Sequence, residues 1–169
     1  QEEQERFSNS LKNLRSDENK ARADVEELKR VLQKTDRQLN KANIPGIPEE
    51  TDARLEEAEE RIFVVMQSLQ EVPLNMELVN SNLQSAKTCI EEVNKHVIEM
   101  IENVMIIEKL IQFGNRHRAT MPKVNELLIE AESAFHQYRY MKALENAAKA
   151  VEMIDDTALG RIERLVEEE

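Results

Sequence analysis

Eleven apolar residues, Met76, Val79, Leu83, Ala86, Ile90, Val93, Val97, Met100, Val104, Ile107 and Ile111, recur at alternating steps of three and four, with no Pro or Gly among the residues they span. An uninterrupted a/d seam keeps facing its partners only on a long, gently supercoiled helix. The stretch from Pro73 to Arg118 is therefore expected to be one helix of about 45 residues and roughly 65 Å. The rest of the chain is placed by the part of this helix it covers.

The surrounding composition leaves few alternatives. Of 169 residues, 34% are charged and 4% aromatic, with three Gly and four Pro. Charged helix formers dominate and β-branched or aromatic runs are scarce, so an all-α fold is expected. The net charge of −11 argues against nucleic acid or an anionic membrane surface as a ligand, because both need a basic face. No apolar run reaches the roughly 18 residues of a membrane span. Cys89, the one cysteine, has no internal disulfide partner and reads as a small residue flanking the seam beside Ile90. Gln1 in place of Met is expected of a piece of a longer chain.

Taken in order, Phe7, Leu11, Leu14, Ala21, Val25, Leu28, Leu32 and Leu39 share one heptad frame over about residues 2–42, with Glu18 and Thr35 as its polar members. Phe7, Leu11 and Leu14 lie beyond the reach of the next, shorter helix, so they are expected to be bare or to meet another copy of the chain. The turn Asn43–Pro48 follows from two prolines and Gly46, whose permissive dihedrals suit a turn. A helix over about 49–71 carries Leu55, Ala58, Ile62, Val65, Leu69 and Val72, and Pro73 both ends it and suits the start of the organising helix. A first bundle over 1–98 combines these helices with the first half of the organising helix.

Beyond Val97 the apolar face widens. Ile98, Ile101, Met105, Ile106, Leu110 and Phe113 extend it to an arc of about 160° at 100° per residue. More helices should surround this half: about 121–136, with Thr120 as N-cap, then 139–154, then 157–167 capped by Asp155, Asp156 and Thr157. They make a second bundle over 97–169. Two bundles sharing one continuous helix is the plan of an elongated rod of spectrin-like three-helix bundle repeats.

No catalytic constellation stands out. Gly-rich phosphate loops, nucleophile elbows and cysteine clusters are missing, and Glu92 with His96 and Glu132 with His136 are spaced by four, not the three of a di-iron helix motif. No enzyme, metal or cofactor is expected. The unusual stretch is Lys109–Asn125, seventeen residues without Asp or Glu in a chain that has 34 of them. Gln112, Asn115 and Arg116 stand at i, i+3 and i+4 and form one patch opposite the apolar arc, which Lys109 extends by a turn. Cations near a helix C-terminus complement its dipole without any partner, and Gly114 permits close helix packing. Neither effect calls for Gln112 and Asn115 on the outer face. A smaller acid-free window, Ser133–Leu144, holds Phe135, Tyr138, Arg139 and Tyr140 and reads as a helical corner plugged by aromatics.

IPGIPEE, MQSLQEVPLNM, IEKLIQFGNRHR and YRYMKALENAAKAVE, in this order and spacing, resemble the C-terminal part of the EzrA family of septation ring formation regulators. The likeness runs from about Asn43 to the end and, less specifically, through the first helix. It implies a bacterial division protein with a membrane-anchoring N-terminal helix, missing here, and a cytoplasmic rod that acts on FtsZ at the septum and restrains its assembly. The family's QNR patch, linked to midcell localisation, falls on Gln112, Phe113, Gly114, Asn115, Arg116, His117 and Arg118. Tyrosine is usual in the family where this chain has Phe113 and His117. The expected partner is FtsZ or another division-ring protein. Two other readings are a passive spacer, with recognition elsewhere, and a peptide-binding module, since Tyr138–Val151 resembles one tetratricopeptide hairpin.

Overall fold

A computed structural model describes residues 1–169. Six helices and no strand make up the fold: α1 Glu2–Lys41, α2 Glu49–Ser68, α3 Met76–Asn115, α4 Pro122–His136, α5 Tyr140–Ile154 and α6 Ala158–Glu167. The all-α helical-bundle expectation is met. The chain forms two compact units, one of residues 1–38 and 50–95, the other of 39–49 and 96–169. Helix α3 runs unbroken through the division at Lys95 and His96.

In the first unit the seams of three helices close on each other. Ala21, Val25, Leu28 and Leu32 of α1 meet Ala58, Ile62 and Val65 of α2 and Val79, Ala86, Ile90 and Val93 of α3. With the partly buried Leu83 between Val79 and Ala86, each set repeats at three and four, which is what holds one stripe of each helix in a common core. Thr35, the polar member of the α1 seam, is fully buried and donates its hydroxyl to Asn94 Oδ1 on α3 at 2.8 Å, or to its own turn at Val31 O at 3.0 Å. Toward the N-terminus α1 has no such cover: Phe7 is 68% exposed, and Leu11 and Leu14 are exposed as well.

The α2–α3 connection differs from expectation. Helix α2 stops at Ser68, whose hydroxyl donates to Val65 O at 2.7 Å, so Val72 is off the seam and 97% exposed. Pro73 lies in the connection, after a cis peptide bond, and does not begin α3. Asn75 does that work: its Oδ1 accepts the Leu78 N–H at 3.1 Å, satisfying an orphan donor that proline cannot serve.

In the second unit, Leu110 of α3, Ala131 of α4, Ala147 and Val151 of α5, and Ala158 and Ile162 of α6 form one cluster. Val124, Leu128 and Ala150 form another. The small alanines let α4 and α5 approach closely. The aromatic corner reaches the α1–α2 loop, which explains why residues 39–49 belong here. Tyr140 donates its hydroxyl to Gly46 O at 2.5 Å and accepts the Gly46 N–H at 3.3 Å. Gly46 is needed for space, not for dihedral freedom: its φ is not positive, and a Cβ there would run into the ring of Tyr138. Tyr138 itself has φ 60°, and the Arg139 N–H bonds Ala134 O at 2.9 Å across it, the Schellman ending of α4.

Two expected caps are also corrected. Met121, not Thr120, precedes α4, with Pro122 inside its first turn, and the Thr120 hydroxyl points back to His117 O at 3.4 Å. At α6, Thr157 takes the N-cap position without a side-chain cap, while Asp155 Oδ1 accepts from its N–H at 3.0 Å and its hydroxyl at 2.8 Å.

Candidate functional site

The acid-free window forms the end of α3, the turn 116–121 and the first turn of α4. Helix α3 stops at Asn115, three residues short of the sequence expectation. The His117 N–H then bonds Gly114 O at 3.0 Å and the Arg118 N–H bonds Asn115 O at 3.5 Å, tightening the chain into a turn. Gln112 and Asn115 therefore share a helix face, while Arg116 is the first residue beyond it. All three are exposed.

Their neighbours are held inside. Phe113 is half-buried against the Leu110 and Ile162 cluster, and His117 lies beside it with ring centroids 6.2 Å apart. Gly114 is buried where a Cβ would stand 2.8 Å from Leu128 Cδ1, so α4 passes close by.

The cations divide sharply. Lys109 Nζ is 3.3 Å from Glu169 Oε1, and Lys123 Nζ is 3.6 Å from Glu126 Oε2. Arg118 is the most constrained: Nε donates to Asn125 Oδ1 at 2.8 Å, Nη1 to Asn115 Oδ1 at 3.2 Å, and Nη1 also pairs with Glu132 Oε1. This one guanidinium staples the end of α3 to α4. Arg116, by contrast, is exposed and pairs with no carboxylate.

Asn125, the last residue of the acid-free window, and Glu132, which lies outside it, both belong to this arrangement. In the sequence Glu132 stands out only by its spacing to His136, and a contact fourteen residues away from Arg118 leaves no periodic trace. Nowhere do three or more His, Cys, Asp or Glu side chains come together as a metal site. No helix is long and apolar enough to cross a membrane. The patch can present amide and guanidinium hydrogen bonds to a protein surface, and it contains no nucleophile paired with a base.

Comparison with known proteins points one way. The family described as "Septation ring formation regulator, EzrA" matches residues 1–166. The Septation ring formation regulator EzrA of Bacillus pumilus is 40% identical over 156 residues, covering 92% of this chain and 28% of the relative. The protein of that name from a Geobacillus species is 38% identical, over 88% of this chain and 26% of its own length. That of Listeria monocytogenes is 35% identical over 98% of this chain and 29% of its own. The chain thus spans less than a third of these relatives. No solved structure matches.

Proposed function

This chain belongs to the EzrA family of septation ring formation regulators, and on that premise we propose that it is a non-enzymatic part of a bacterial cell-division regulator that docks FtsZ or another division-ring protein through Gln112, Asn115 and Arg116. Docking at the septum restrains ring assembly, with the whole protein held at the membrane by a segment outside this chain.

One observation carries the reading. Gln112, Asn115 and Arg116 are all exposed at the end of α3, and Arg116 has no carboxylate partner while the cations around it do. Dipole complementation alone would not need the amides, and helix packing would not need the charge. With a net charge of −11, attraction to an acidic partner is poor at long range, so the contact is local and salt-sensitive.

The test is co-sedimentation of the chain with FtsZ polymers at low and high salt, comparing the natural sequence with a Q112A/N115A/R116A variant. Binding by the natural sequence, lost in the variant at unchanged helicity, is the expected result. Equal binding by both removes the patch from recognition. Binding by neither makes this piece a spacer or the dock of a different division protein.

A further inference from the structure

We propose that Arg118 is a positioning residue: it fixes the Asn115 amide so that Asn115 and Arg116 together present hydrogen-bond donors to a carboxylate on an acidic segment of a partner protein. The inference rests on the reading of this patch as a docking surface and adds its chemistry.

The argument begins with what arginine can do. A guanidinium only donates, so the Asn115 atom facing Arg118 Nη1 at 3.2 Å has to be the carbonyl oxygen Oδ1. The Asn115 NH₂ is then turned away from the staple, toward solvent. The guanidinium cannot easily swing to release it, because Asn125 Oδ1 holds Nε at 2.8 Å and Glu132 holds Nη1. A side chain that would otherwise rotate freely is fixed with its two donors outward. Arg116, the next residue, adds a cation without a carboxylate, and Gln112 adds an exposed amide one turn earlier on the same face.

Donors and one uncompensated positive charge call for an anion. A carboxylate has two oxygens that can accept from a guanidinium and an adjacent amide, and such charge-assisted bonds are about twice as strong as neutral ones. Nucleic acid is disfavoured by the net charge of −11. A free small anion is disfavoured because the three side chains are exposed and offer no walls to exclude water. An Asp or Glu carried by a protein segment is held by its flanking contacts as well. Charge complementarity therefore selects an acidic stretch of polypeptide.

The clean variant is Asn115→Asp. Aspartate still accepts from Arg118, so the staple survives, but the outward donors are replaced by an oxygen. The ¹⁵N-labelled chain is titrated with an acetylated, amidated hexapeptide of alternating Glu and Gly, and with the peptide in which Gln replaces Glu. Expected are shifts of the Gln112, Asn115 and Arg116 side-chain signals with the Glu peptide only, and affinity at least fivefold weaker in N115D and R116A at unchanged helicity. R118M should weaken the natural chain but not N115D further, because Arg118 acts through Asn115. A purely structural Arg118 would weaken both.

Equal shifts with the Gln peptide, shifts spread equally over Lys142 and Lys149, or undiminished binding by N115D would overturn the proposal. If the triple alanine variant loses co-sedimentation while the Glu peptide produces no shift, the docking surface stands and its carboxylate chemistry is wrong. If the peptide binds as expected and co-sedimentation is unaffected by the triple variant, the reverse holds.

Discussion

Glycine makes room for a neighbouring side chain at two positions, and the backbone around it differs in a measurable way. At Gly46 an added methyl meets three carbons of the Tyr138 ring, whose backbone is set by the left-handed ending of α4. At Gly114 the obstacle is Leu128 Cδ1, a methyl of a fully buried core side chain, but the backbone is helical, where alanine is preferred to glycine by about 1 kcal/mol. Gly46→Ala is expected to destabilise by about 1–3 kcal/mol, as overpacking does, while helix propensity should make the cost of Gly114→Ala smaller by about 1 kcal/mol. Urea unfolding of the two variants checks this, and a cost at Gly114 equal to that at Gly46 would contradict it. At this scale the sequence was least legible. Gly46 read as a source of turn dihedrals, since its true neighbours, Tyr138 and Tyr140, lie more than ninety residues away. Arg118 likewise read as one more cation of an open patch, because nothing in local spacing announces Asn125 and Glu132.

At the scale of helices legibility was high, because a repeat of three and four is a local signal and burial follows it. Ile90, Val93, Val97 and Ile107 of the α3 seam are all buried, as is Leu28 of α1. The boundaries were less legible: proline fits both a connection and a first helical turn, and only the Asn75 hydrogen bond decides for the connection at Pro73. Thr35 was visible as an exception on its seam but not as the bridge it makes to Asn94. That bridge is lopsided. The Thr35 hydroxyl can fall back on Val31 O, whereas the half-buried Asn94 Oδ1 loses its α1 donor if the hydroxyl is removed. Thr35→Val is therefore expected to cost about 1 kcal/mol and Asn94→Ala less, with a coupling of at least ~0.5 kcal/mol in the double variant. Strict additivity of the two would show that the contact does not link α1 to α3.

For the molecule as a whole, the charge balance hides two groups that titrate on the alkaline side, one in each unit. Burial pushes the Cys89 thiol of the first unit above its ordinary value of 9.0, with Glu57 adding to the effect and Arg61 opposing it. Burial likewise raises the Tyr140 phenol of the second unit above 10.0, the Gly46 backbone bond opposing. A raised folded pKa means that the protonated form is favoured in the native state. The stability each group contributes is then complete below its unfolded pKa and is lost as pH rises through the folded one. Tyr140 has a further reason to resist ionisation: its proton is what binds Gly46 O, and a phenolate would face that carbonyl with none. On the acid side, Asp155 and Glu145 are held below their ordinary values, Asp155 by the Thr157 bonds and Glu145 by Lys149, so their contribution is lost as pH falls. Both are surface groups, and salt screens them. Stability should therefore be flat across neutral pH and fall from about pH 9 upward, in two parts. Cys89→Ala should remove the earlier part, that of the first unit, and Tyr140→Phe the later part, at the loss of a hydrogen bond worth about 1 kcal/mol at neutral pH. Thermal unfolding of both variants from pH 7 to 11 reads this directly. An alkaline decline that neither substitution alters would place its origin in the lysines, whose loss of charge makes the acidic chain still more negative.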